Sequence, residues 1–167
     1  MNRFPNLRSP SHLLATLFGI GLLPLAPGTW GSFIGLILFL YTGIYLSINQ
    51  EEFYFLLILI ILFSFVICYF ATNELENDEK DQKSIVIDEL AGMWVALIPV
   101  AGIVMMREFI ICSFLAFLFF RIFDIWKPYP INVVDRKIKN YFGVVFDDLI
   151  AGVYAAIAVY LTLLLFL

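Results

Sequence analysis

The sequence predicts an all-α integral membrane protein: about five transmembrane helices, an N-terminal re-entrant or interfacial segment, and a polar site at the cytoplasmic end of the bundle. Three observations carry this expectation. The 167-residue chain is 62% hydrophobic and only 14% charged, against about 45–50% and about 25% in soluble domains. Its mean hydropathy is +0.95, and a chain of this size cannot hide that much apolar surface within itself. Apolar runs of spanning length recur, and nearly all basic residues fall on one side of them. The bilayer is therefore the solvent.

The elements follow in chain order as a single membrane-embedded domain over residues 1–167. The run 12–24 is too short to cross about 30 Å of hydrocarbon, and it carries Gly19, Gly21 and Pro24. Irregular backbone at membrane depth needs protein or a polar cavity to satisfy it, so this run reads as re-entrant or interfacial. Pro27-Gly28-Thr29-Trp30-Gly31-Ser32 has turn chemistry. Spans are expected at 31–48, 53–72, 85–105, 108–124 and 145–167, the third with Asp88 and Glu89 at its polar end. Asn73 to Lys83 reads as a solvated acidic loop, and Pro128 and Pro130 stop the fourth span. Trp126 and Tyr129 suit an interfacial position. Cys68 and Cys112 lie inside apolar runs and read as small hydrophobes, not as a disulfide or metal site. No cleavable leader is expected, the first span serving as the insertion signal.

Orientation follows from the basic residues. With the N-terminus inside, Arg3, Arg8, Lys80, Lys83, Arg121, Lys127, Arg136, Lys137 and Lys139 are cytoplasmic, and Arg107 alone is outside. The net charge of −4 leaves no basic footprint for nucleic acid. Acidic residues embedded in apolar sequence sort the same way: Asp88 and Glu89 open the third span, Asp124 closes the fourth beside Arg121, and Asp147 and Asp148 open the fifth. Charges at membrane depth are expensive and point to function.

Two of these starts are alike, Asp88-Glu89-Leu90-Ala91-Gly92 and Asp147-Asp148-Leu149-Ile150-Ala151-Gly152. A helix dipole alone favours acids near a helix start. It does not explain two acidic pairs, each followed by small residues that let helices approach closely. Carboxylates gathered together repel unless a cation sits among them, and an all-oxygen donor set suits a hard ion such as Mg²⁺. Proton or cation coupling in a transporter is the alternative. Arg121, Asp124 and Lys127 share roughly one helix face. They are either a structural pair with a snorkelling lysine, or a metal ligand flanked by two phosphate-binding cations. Thr29 and Ser32, with the backbone from Gly28, are candidates for an anion-binding nest before a helix starting near Ser32. His12, the sole histidine, opens the short N-terminal run.

Five blocks together resemble the phosphatidylglycerophosphatase A family of bacterial membrane lipid phosphatases. They are His12 to Ala15, Pro27 to Ser32, Asp88 to Trp94, Phe120-Arg-Ile-Phe-Asp-Ile-Trp-Lys-Pro-Tyr-Pro-Ile131, and Gly143 to Gly152 with its Asp147-Asp148 pair. They run through nearly the whole chain; Ile87 and Val145 stand where Trp and Met are common in the family. The resemblance implies Mg²⁺-dependent hydrolysis of phosphatidylglycerophosphate to phosphatidylglycerol, in phospholipid synthesis at the bacterial inner membrane. It implies an active site with Asp88, Glu89, Asp124, Asp147 and Asp148 on metal, and with Arg121, Lys127, Thr29, Ser32 and His12 toward phosphate. Attack by a water or first by an aspartate both stay open. Association between copies of the chain also stays open. A phosphatidyl-alcohol transferase is disfavoured because its Asp-Gly-x-x-Ala-Arg string is missing, and a small cation transporter or its accessory subunit because the middles of the spans are apolar.

Overall fold

The computed structural model describes residues 4–73 and 82–166; Arg3, Lys80 and most of the expected acidic loop lie outside the described residues. Regular structure among the described residues is wholly helical, as lipid demands of a chain that must satisfy its own backbone. The chain opens with a six-residue helix, α1 (Pro10–Ala15). It then hooks through Leu17, Phe18 and Gly19, at φ 46°, 58° and 92°, into a 3₁₀ turn at Ile20–Leu22. Thr16 ties the hook: its Oγ1 donates to the His12 carbonyl at 2.8 Å and accepts from the Gly19 amide at 3.1 Å. The Val86 amide donates to the Ala15 carbonyl at 2.9 Å and anchors the hook to the bundle. The run 12–24 is therefore a compact hook with Phe18, Leu22 and Leu23 exposed, and Leu25 just after it is exposed too.

Among the described residues four helices, rather than the expected five, are long and apolar enough to cross a membrane. They are α2 (Pro27–Ile44), α3 (Gln50–Thr72), α5 (Met106–Trp126) and α7 (Tyr141–Phe166). At about 1.5 Å per residue, even the 18 residues of α2 approach the hydrocarbon thickness of about 30 Å. The Pro27–Ser32 block is not a turn. It forms the first turns of α2, because proline at the first helical position gives up no helical hydrogen bond. The bend falls one residue earlier, at Ala26 with φ 48°. Helix α3 starts on a capping box in which Asn49 and Glu52 each bond the other's backbone amide, at 3.0 and 2.8 Å.

The expected span 85–105 is the main departure. Only Ile87–Ala96 (α4, ten residues) is α-helical, followed by a 3₁₀ turn at Ile98–Val100. Pro99 lacks the N–H needed to continue the helix, and ten residues cover only about 15 Å. Every residue of α4 except Glu89 is buried, because α2, α3, α5 and α7 all pack against it. Its apolar character comes from centrality in the bundle, not from contact with lipid.

Small residues bring the helices close. A Cβ on Gly31 would sit 2.8 Å from Val86, and one on Gly92 would sit 2.6 Å from the Asp148 carbonyl oxygen and 2.8 Å from the Phe120 ring. One on Gly152 would strike the Gly92 carbonyl oxygen. The Ala-Gly seams after the two acidic pairs are thus where α4 and α7 cross with their backbones touching. At the other end of the core, Phe39, Phe53, Trp94 and Phe109 form an aromatic cluster with centroids 5.1–6.2 Å apart, and the Trp94 indole donates to the Gly35 carbonyl at 3.0 Å. A further helix, α6 (Ile131–Lys137), lies within the connection 125–144. Because α7 starts at Tyr141, Asp147 and Asp148 lie in its second turn, not at its opening.

Candidate active site

The acidic pairs are recessed. Ser64 donates its hydroxyl to the Ile87 carbonyl at 3.1 Å, and α3 continues eight residues further to Thr72, roughly 12 Å of helix. The start of α4 therefore lies well short of the level at which α3 ends, and there its first turn meets the second turn of α7. They floor a cavity of about 780 Å³. Asp88, Glu89, Arg121, Asp124, Lys127, Asp135, Asp147 and Asp148 line it, together with the start of α2 at Pro27 and Gly28.

Within that wall the charges divide into three groups. Asp88, Glu89 and Asp148 each offer a carboxylate oxygen within 4.8 Å of the others, and Asp88 and Asp148 are only 5% and 4% exposed. None of the three forms an ion pair among the described residues. Glu89 Oε2 is buried without a hydrogen-bond partner. Three such carboxylates repel one another and carry the desolvation cost of burial. An orphaned oxygen and an oxygen-only donor set fit a hard divalent cation.

The second group centres on Arg121. Its Nη1 lies 2.8 Å from Asp124 Oδ2 and donates to Ser32 Oγ at 3.1 Å, while Ser32 donates to the Gly28 carbonyl at 2.8 Å. The guanidinium is thus fixed on one edge by two helices, and its Nε is buried without a partner. Gly28 is the third side: a Cβ there would collide with the Glu89 carboxylate and lie 3.5 Å from Arg121 Nη1.

The third group is Lys127, at the C-cap of α5 with φ 46°. Its Nζ lies 2.6 Å from Asp135 Oδ1 and 2.7 Å from Asp147 Oδ2. Burial alone would lower its pKa, but Asp147 and Asp135 outweigh that and hold it above the ordinary lysine value, so the ammonium stays charged.

The structure therefore gathers seven of the ten residues singled out from sequence at the cavity, with Ser32 behind Arg121. Two do not line it. His12 Nδ1 accepts from the Asn6 amide at 2.9 Å and its ring packs on Phe4. Thr29 is in the first turn of α2, where its amide donates to Ala26 at 2.9 Å. The anion-binding nest expected from a pre-helical loop at Gly28–Ser32 does not form as a loop, since that backbone is helical. Asp135 was not singled out; its one sequence signal is its place four residues after the apolar Ile131, on the same helix face.

The sequence pattern of phosphatidylglycerophosphatase A matches residues 13–163. The chain belongs to the phosphatidylglycerophosphatase A family. A phosphatidylglycerophosphatase A of Haemophilus influenzae is 38% identical over 157 residues, covering 93% of this chain and 90% of its own length. One from Escherichia coli is 34% identical, covering 90% and 81%. A Bacteroides thetaiotaomicron relative, provisionally named a phosphatidylinositol-3-phosphatase, is also 34% identical, covering 92% and 95%. No solved structure matches the chain. The segments Pro27–Ser32, Asp88–Trp94, Phe120–Ile131 and Gly143–Gly152, far apart in sequence and within the matched range, each contribute residues to the wall of this cavity.

Proposed function

We propose that the chain is a Mg²⁺-dependent phosphatidylglycerophosphatase that removes the terminal phosphate of phosphatidylglycerophosphate, leaving phosphatidylglycerol. The observation that carries this is the convergence of four of the resembling blocks on one recessed cavity, where three carboxylates with no ion pair among the described residues lie beside a half-satisfied arginine.

Asp88, Glu89 and Asp148 would hold the metal, with Asp124 and Asp147 next to them. Bound there, Mg²⁺ supplies charge neutralisation for the phosphoryl oxygens and acidifies water. The chain's own residues do the rest. Arg121, braced by Ser32 and Asp124, offers its remaining N–H groups, Nε among them, to two phosphate oxygens in a bidentate grip. Lys127, held by Asp135 and Asp147, supplies a second positive charge in the same cavity. Phosphoryl transfer depends mostly on such positioning and charge neutralisation. His12 and Thr29 are not assigned phosphate contacts, since neither lines the cavity.

The N-terminus and the site lie, in this reading, on the cytoplasmic side of the bacterial inner membrane, supported by the nine-to-one distribution of basic residues. Transport is a poorer fit: an aromatic cluster, not a polar path, occupies the far half of the core. The deciding experiment is phosphate release by purified protein in detergent, with phosphatidylglycerophosphate and phosphatidylinositol 3-phosphate side by side. Preference for the first is expected. Preference for the second would overturn the headgroup assignment, and no release from either would overturn the reaction.

A further inference from the structure

We infer that Asp135 is a positioning residue that holds Lys127 for phosphate, an assignment resting on the reading of Lys127 as a phosphate-binding cation. Lys127 needs outside support. It stands past the last turn of α5 in the left-handed region, and Pro128 prevents the helix from continuing beneath it. A lysine side chain left to itself spreads over many rotamers. Asp147 alone would draw the ammonium onto the acids at the cavity floor. Asp135 supplies the counter-pull at 2.6 Å against 2.7 Å for Asp147, so the ammonium sits between two carboxylates on different helices.

Helix α6 is built to deliver this carboxylate. Its first residue, Ile131, is fully buried and α6 packs on α7. Asp135 is one turn later on the same face, and so turns toward the cavity. Arg136 and Lys137, on the next positions, are exposed. A bland alternative is that the Asp135–Lys127 pair only ties α6 to the end of α5. That role would show in stability and leave phosphate affinity untouched.

The test is inorganic phosphate binding, measured by calorimetry on the full-length protein in detergent with Mg²⁺, beside lipid hydrolysis on the same preparations. Asp135→Asn should weaken phosphate binding about tenfold to a hundredfold, the usual effect of losing a charge-assisted hydrogen bond. Lys127→Met should weaken it at least as much, and the double variant no further. The milder Asp135→Glu, which keeps the charge but moves it by one methylene, should fall between wild type and Asp135→Asn. Arg136→Gln should bind as wild type. Wild-type affinity in both Asp135 variants, with only the melting temperature lowered, would overturn the assignment. Unchanged phosphate-binding differences in a protein that hydrolyses no lipid would instead overturn the proposed reaction and leave Asp135 in its role.

Discussion

Replacing Arg121 by lysine separates a phosphate-gripping guanidinium from a merely structural partner of Asp124. The structure fixes what is lost. Arg121 Nη1 serves both Asp124, at 2.8 Å, and Ser32, at 3.1 Å, leaving the rest of the fork, with its buried and unpartnered Nε, for a ligand. Lysine keeps the charge and can still reach Asp124, but an ammonium is a single point and cannot grip two oxygens in a plane. A hydrogen bond to a charged group is worth about 1.5–3 kcal/mol. At about 1.4 kcal/mol per factor of ten, its loss lowers the rate by about one to two orders of magnitude. The assay is phosphate release from phosphatidylglycerophosphate across a Mg²⁺ titration. The expected result is a reduced rate with little change in the Mg²⁺ concentration for half activity. Normal turnover combined with an altered Mg²⁺ requirement would refute the reasoning: Arg121 would then act through Asp124, leaving Lys127 as the phosphate-binding candidate.

Exhaustive treatment with EDTA should abolish activity and added Mg²⁺ should restore it; full activity in the stripped protein would remove the metal from the reading. Asp88→Asn and Asp148→Asn, at the cluster with no ion pair, should each cost orders of magnitude in turnover while the protein still inserts, and near-normal rates in both would make the acids structural. Gly92→Ala should lower thermal stability by about 1–3 kcal/mol, because its Cβ would meet the Asp148 carbonyl oxygen and the Phe120 ring at 2.6–2.8 Å; a melting temperature equal to wild type would contradict the α4–α7 contact. A cysteine placed at position 137 should react with membrane-impermeant reagent only from the cytoplasmic side, and labelling solely from outside would invert the topology.

Much of this protein was determined by the sequence alone. Its apolar content forces a membrane-embedded helical chain, and the basic residues between the apolar runs support the proposed orientation. Five sequence blocks carry the resemblance to the family whose pattern matches residues 13–163, and four of them contribute residues to the cavity. Those properties are legible because they depend on composition, on helical period and on local chemistry. Packing decided the rest. An apolar run such as 85–105 reads the same whether lipid or protein surrounds it, so only the assembled bundle shows that α4 is short, central and buried. Likewise the sequence supplies five carboxylates without saying which will meet. Helical period sets the face of each one within its own element. The depth and rotation at which elements meet depend on glycine contacts such as Gly92 against Gly152, tens of residues apart. The Arg121–Asp124 pair, three residues apart on one helix, was legible in the sequence; it is packing that leaves Asp88, Glu89 and Asp148 together, sends Asp147 to Lys127, and brings in Asp135 from a helix within an expected loop.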